Sequence, residues 1–185
     1  MRRVARVRGH SRPVRPVPAS GGAVLVRQRA GLRTRVRRGP GGATAVSVLD
    51  RAVLAERTMT VQRHLARVAE RLPAAPGDLA PATDASDAVV LHLWQATQIV
   101  IDVAMSACLT LRLGTPSSYA DAFRRLEQAG IVETALADRL VRAAGFRNVV
   151  AHAYESLDLK RVHQAATYGP ADLLHFLGHL KDHSR

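Results

Sequence analysis

The stretch "FRNVVAHAY" places Arg147, His152 and Tyr154 within eight consecutive positions, with the carboxamide of Asn148 beside the arginine. A guanidinium is planar, permanently charged and shaped to fork onto phosphate oxygens. An imidazole, with an unperturbed pKa of about 6.5, exchanges protons near neutral pH. Those two groups suit chemistry on a phosphodiester. On an α-helix Arg147 and Tyr154, seven positions apart, point nearly the same way and stand about 10 Å apart along the axis. His152, five positions from Arg147, points roughly 140° away. The pair converges only if the helix is distorted near Gly145 or if a second copy of the helix packs across a twofold axis. From spacing alone the same residues also fit a partly exposed helix face with satisfied hydrogen bonds.

The elements that must position these residues read as helices. Val61, Leu65, Val68 and Leu72 fall four, three and four apart, one apolar stripe, and Pro73, Pro76 and Pro81 end that segment. Asp84 or Ser86 can cap a long second helix, which is expected to stop at Gly114. Ser117 or Ser118 opens a third, with Phe123 and Leu126 inward and Gly130 at its end. A fourth starts near Ile131, with Leu136, Leu140 and Val141 as its apolar face, and runs into the quoted stretch. Asp158 caps a fifth, which Pro170 should bend or break. No run alternates at period 2 for long enough to make a strand, and there is no internal repeat. The expected fold is all-α, an up-and-down bundle of about five helices.

Residues 1–46 differ in texture. They hold 12 arginines, four prolines and seven glycines but no acidic residue, a composition that cannot bury enough surface to offset chain entropy. A disordered, basic extension is expected there, with the folded domain at 47–185. An arm binding nucleic acid nonspecifically is a second reading of it. With 25 Arg and two Lys the sequence looks GC-rich, and a start near Val46 or Val48 would remove the extension altogether. The formal net charge of +12 belongs to this segment, because the remaining 15 basic residues balance 15 acidic ones. Any activity on RNA must therefore come from a local site, not a general basic surface.

Several classes are disfavoured. The most apolar stretch, Ala88 to Leu113, is interrupted by His92, Gln95, Gln98, Asp102 and Arg112, so it reads as a core helix, not a membrane span. Cys108, the sole cysteine, lies in it and reads as a buried thiol in a reducing cytoplasm. No secretion signal follows the arginine-rich start. Glycine-rich phosphate loops, paired-cysteine metal spacings and G-x-S-x-G elbows do not occur. His175, His179 and His183 nearly share a face and could hold a metal with Asp172 or Asp182; solvated or packed histidines at a helix end fit them better. His64, His92 and His163 read as structural, and Ser117, Ser118 and Tyr119 as cap and packing residues.

"RNVVAHAY" matches the R-x4-H-x-Y signature of the HepT-like proteins, toxins of the HEPN ribonuclease superfamily. The whole segment from Asp87 to Tyr154 resembles that family's layout, including the long second helix, the "GTPSSYADAF" connection and the "AGFRN" approach to the motif. The resemblance covers residues 48 to about 182. It implies a metal-independent endoribonuclease, the toxin of a type VII toxin–antitoxin pair, whose site forms across a homodimer without a cofactor of its own. On that resemblance Arg147 binds the scissile phosphate and stabilises charge on its oxygens. His152 is the general acid or base at an RNA 2′-hydroxyl, and attack by that hydroxyl leaves a cyclic phosphate end. Asn148 orients either group or an RNA oxygen, or merely caps the helix. The resemblance also implies an antitoxin partner, an MntA-type nucleotidyltransferase, which uses ATP and Mg²⁺ to attach AMP to Tyr154 and so block RNA. Otherwise Tyr154 is a packing aromatic at the dimer interface. The alternative function is a non-catalytic helical module that only binds the nucleotidyltransferase.

Overall fold

The computed structural model describes residues 50–152 and 157–183. The extension expected over 1–46 and the side chain of Tyr154 lie outside them. Helix α1 spans Arg51–Arg71, α2 Asp84–Thr110, α3 Tyr119–Gln128, α4 Thr134–His152 and α5 Leu159–Asp182, with one 3-10 turn at Pro76–Asp78. Among the described residues there is no strand. The all-α expectation holds.

Each start has a local cause. The Asp50 carboxylate accepts from the Ala52 N–H at 2.8 Å and caps α1, whose Leu54, Val61, Leu65 and Val68 are buried. Thr83, not Asp84 or Ser86, caps α2. Its hydroxyl accepts from the Ser86 N–H while the Ser86 hydroxyl accepts from the Thr83 N–H, both at 3.2 Å, so Ser86 is the reciprocal third residue of a capping box. Ser118 caps α3 through the Asp121 N–H at 3.0 Å. Asp158 caps α5, as its position in the sequence suggests.

Helix α2 is the centre, packed against α1, α3, α4 and α5. Val89, Leu93, Val100 and Ile101 are almost wholly buried along it, each contributing about 1.5–3 kcal/mol of apolar burial. By length and hydropathy alone α2 could cross a bilayer, but half of its apolar window is packed inside the protein. The Cys108 thiol is buried as expected, donates to the Ala122 carbonyl at 3.4 Å and is pushed up in pKa by burial.

Helix α2 ends at Thr110, four residues before Gly114. The chain turns there through two left-handed residues, Arg112 at φ 58° and Gly114 at φ 88°. A side chain at Gly114 would come within 2.8 Å of Arg125 Nη1. Arg125 uses that atom to donate to the Leu113 carbonyl at 2.8 Å, and its Nε to reach Asp121 at 2.9 Å. The Asp121 carboxylate also accepts from the Ser117 N–H at 2.7 Å. That bond, and then Arg125, hold its pKa below the usual carboxylate range. The turn is thereby tied to α3, and the position of Tyr119, the first residue of α3, is set.

Helix α4 begins at Thr134, later than the expected Ile131, because Ile131 and Val132 are buried in the connection after Gly130. Leu136 and Leu140 are fully buried, and Val141 packs at the core's edge. Arg124 of α3 reaches Asp138 of α4 and Glu127 of its own helix, joining the two. Pro170 does not break α5, one of the two outcomes expected of it: the helix runs from Leu159 to Asp182 without interruption. A proline inside a helix costs about 3 kcal/mol. Buried Val162 and Ala166 before it, and Leu173, Phe176, Leu177 and Leu180 after it, hold both halves on one core face and outweigh that cost.

The isolated histidines have partners the sequence does not show. His163 Nε2 donates to the Pro73 carbonyl at 2.8 Å, pinning the α1–α2 connection to α5. His64 of α1 and His92 of α2 meet Nδ1 to Nδ1 at 3.0 Å, which requires one ring nitrogen to carry a proton and the other to be bare. Burial, then the positive charge His92 carries when protonated, then Arg63, lower the pKa of His64. A histidine whose pKa is lower folded than unfolded adds stability above about pH 6.5, lost as pH falls through the folded value. The melting temperature should therefore drop between pH 7.5 and 5.5, and His64→Gln should flatten that slope. Identical slopes in wild type and variant would remove the histidine pair as its cause.

Candidate functional site

The last turns of α4 carry the motif residues. Arg147 turns toward α2 and the start of α3, where its Nε–H donates to Gln98 Oε1 at 2.5 Å. Its guanidinium carbon lies 5.3 Å from the ring centroid of Trp94 and 5.3 Å from that of Tyr119. A cation over an aromatic face is attracted by the ring quadrupole, about 0.5–1 kcal/mol where partly exposed. Nη1 reaches Asn148 Oδ1 at 3.4 Å. Asn148 is thus no helix cap: it lies well inside α4, exposed, with its oxygen toward the guanidinium. Gln98 in turn donates from Nε2 to Asp102 Oδ1 at 2.7 Å, one turn along α2.

His152 is the last residue of α4 and is exposed. The helix is continuous through Gly145, so distortion there does not bring histidine and arginine together. Gly145, Asn148, Val149 and His152, spaced three, one and three, form one exposed stripe. Val149 is 51% exposed, and a Cβ added at Gly145 would meet nothing within 4 Å. Arg147 points away from this stripe, into its aromatic cradle. Within one chain the geometry gathers Arg147 with Asn148 and leaves His152 apart.

A shallow groove beside Asn148 is lined by Met105, Pro116, Ser117, Ser118 and Tyr119. A second cavity, on another side of α4, includes Leu93, Arg142, Phe146, Tyr168 and Leu173 but none of the motif residues. Among the described residues no three His, Cys, Asp or Glu side chains are grouped to hold a metal. His175 and His179 stack with centroids 4.5 Å apart, and Asp172 is engaged by Arg139 at 2.8 Å.

Trp94, Gln98, Asp102 and the stacking role of Tyr119 were not legible as site features. The signal that was present is the spacing on α2: Trp94, Gln98 and Asp102 recur every four residues and so share a face of a mostly apolar helix. Trp94 is also the sole tryptophan.

A family model described as ribonuclease HepT-like matches residues 61–180. An mRNA nuclease HepT of Shewanella oneidensis is 30% identical over 95 residues, 51% of this chain and 71% of that protein. A solved structure of a tri-AMPylated Shewanella oneidensis HEPN toxin in complex with an MNT antitoxin superposes with a TM-score of 0.63 at 26% identity, covering 70% of this chain and 97% of that one. A toxin–antitoxin structure with AMP-PNP, 24% identical, shares the fold with a TM-score of 0.65 over 71% of this chain and 98% of its own.

Because Trp94 is the only indole, its emission reports the cradle directly. Arg147→Ala should shift Trp94 fluorescence and increase its quenching by acrylamide, with a stability loss of about 1 kcal/mol. An unchanged spectrum and quenching constant would mean that the guanidinium does not sit on that ring in solution.

Proposed function

The chain belongs to the ribonuclease HepT-like family, and from that premise we propose that it is a toxin endoribonuclease whose active site is completed by a second copy of itself. The observation that carries this is the division on α4. Arg147 is pre-oriented toward the α2–α3 cradle, while His152 stands on an exposed stripe about 140° away on the same unbroken helix. One chain supplies a phosphate-binding group and a proton-transfer group that cannot reach the same atom. A second copy, packed so that its own His152 faces the first copy's Arg147, supplies both, and the exposed Gly145, Asn148 and Val149 are surface open to such packing. Leu91 and Leu109 on α2, at least half exposed, add apolar surface for such an interface.

In that site Arg147 holds the scissile phosphate, and its charge offsets the charge growing on the phosphoryl oxygens in the transition state. His152 accepts the proton of the RNA 2′-hydroxyl. The 2′-oxygen then bonds to phosphorus, the bond from phosphorus to the 5′-oxygen breaks, and that oxygen takes up a proton. The products are a cyclic phosphate end and a 5′-hydroxyl. Arginine supplies the positive charge and histidine the proton transfer, so the reaction is metal-independent. Asn148 fixes one Nη of Arg147 or an RNA oxygen.

The relative's mRNA nuclease activity and the AMPylated toxin–antitoxin complex support the substrate and the regulation. Tyr154, two positions after His152, is the acceptor of AMP from a nucleotidyltransferase antitoxin of the MntA type. A phosphodiester there adds negative charge and bulk two positions along the chain from His152, which repels and blocks RNA phosphate.

Expression of this chain alone should arrest growth, and Arg147→Ala or His152→Ala should relieve the arrest and lower RNA cleavage by about 10²–10⁴-fold. Growth unaffected by the wild type and by both variants alike would favour a nucleotidyltransferase-binding module without catalysis. Tyr154→Phe should stay toxic yet escape the antitoxin; continued rescue would exclude that tyrosine as the modified residue. Gly145→Arg, at an exposed position where an added Cβ meets nothing within 4 Å, should produce a folded monomer without nuclease activity. A monomeric variant that still cuts RNA would overturn the shared site.

A further inference from the structure

We propose that Asp102 is a positioning residue: acting through Gln98, it determines which edge of the Arg147 guanidinium faces the RNA. The inference rests on the cleavage reading above and adds to it a residue outside the motif, one helix away.

A guanidinium offers five N–H donors in one plane. In Arg147 the Nε–H is committed to Gln98 Oε1, and the rings of Trp94 and Tyr119 lie against the group. Among the described residues, Nη1 has only the longer contact to Asn148, at 3.4 Å. The Nη end is therefore the part available to a phosphate, which it meets with parallel donors from its two nitrogens. The opposite presentation, through Nε and one Nη, is blocked by the glutamine.

That arrangement depends on the orientation of a carboxamide. Rotated by half a turn, Gln98 would offer its NH₂ to the guanidinium, donor against donor, and the contact would be lost. Asp102 selects the productive orientation because a carboxylate only accepts, and it takes the Gln98 Nε2–H at 2.7 Å. The relay also separates charges. A carboxylate placed directly on Arg147 would compete with the RNA phosphate, whereas a neutral amide holds the arginine and leaves its positive charge for the substrate. The negative charge of Asp102 is kept one helical turn beyond the amide, away from the guanidinium itself.

Two measurements test this on the full-length protein. The first is hydrogen exchange of the Arg147 Nε–H followed by NMR, which requires no RNA. Exchange should be slow in the wild type, faster by at least about tenfold in Asp102→Ala and Gln98→Leu, and slow again in Asp102→Asn, whose amide oxygen restores the acceptor. The second is steady-state cleavage of a defined RNA. Asp102→Ala should lower kcat by about ten- to a hundredfold while KM changes little and the melting temperature holds, and Asp102→Asn should recover most of kcat. Wild-type exchange in Asp102→Ala overturns the proposal. So does an Asp102→Asn that behaves like Asp102→Ala, because charge and not amide orientation would then be the operative property. A loss of melting temperature parallel to the loss of kcat would reduce Asp102 to a structural role. If the wild type cleaves no RNA, the ribonuclease reading fails, and the exchange rates still decide whether Asp102 orients Arg147.

Discussion

An unbroken α-helix cannot aim two residues five positions apart at one point, and that constraint shapes the whole site. Arg147 and His152 share α4, which is continuous from Thr134 to His152. Their directions differ by roughly 140° whatever the surroundings do. Either the two residues act on different things, or a single substrate is held between two helices of the same kind. The rest of the fold favours the second outcome by stabilising the divergence. The arginine is drawn inward by the two rings and the amide, while the histidine stands at an exposed helix end beside a glycine and a valine.

The inward half is built on α2. A long apolar helix in the middle of a bundle is the most rigid platform available, because it is packed from several sides at crystal-like density. Trp94, Gln98 and Asp102 lie every four residues along one face of it, so the groups touching Arg147 are fixed by the core behind them. Tyr119 is fixed separately, by the turn that Arg125 and Asp121 tie to α3. Two independently anchored elements thus meet at one guanidinium. A side chain with considerable rotamer freedom is held nearly still before substrate arrives, and less entropy is lost on binding.

Much of this was legible in the sequence, and the reasons divide cleanly. Helix number, the inward faces of α1, α3 and α4, and the caps at Ser118 and Asp158 depend on residues within a few positions of one another. The cap of α2 was expected at Asp84 or Ser86, and it lies at Thr83, because Thr83 and Ser86 cap reciprocally and Ser86 is the third residue of that box instead of the cap itself. Pro170 leaves α5 unbroken for a different reason: local strain predicts a bend or a break, but the buried leucines and phenylalanine beyond it are long-range stabilisation that no window on the chain displays. Partners distant in sequence stayed hidden in the same way. His64 and His92 lie 28 positions apart, and Arg147 and Gln98 49 apart. The motif supplied the names of the reacting residues, but nothing in it pointed to the aromatic cradle.

The choice of groups around Arg147 carries a last consequence for affinity. Carboxylates dominate arginine contacts elsewhere in this fold: Arg124 with Glu127 and Asp138, Arg125 with Asp121, and Arg139 with Asp172. Those pairs neutralise charge and hold helices together, and none of them leaves an arginine free to attract an anion. Among the described residues Arg147 is held instead by two rings and two amides, partners that orient a cation without cancelling it. Outside residues 1–46 the acidic and basic residues balance, so no broad positive field draws RNA toward this part of the chain. On the proposed reading, an uncancelled guanidinium at a fixed position then accounts for a larger share of phosphate recognition than it would on a basic surface. The contrast with Arg124, Arg125 and Arg139, together with the two rings that flank it, is the chemical mark of Arg147.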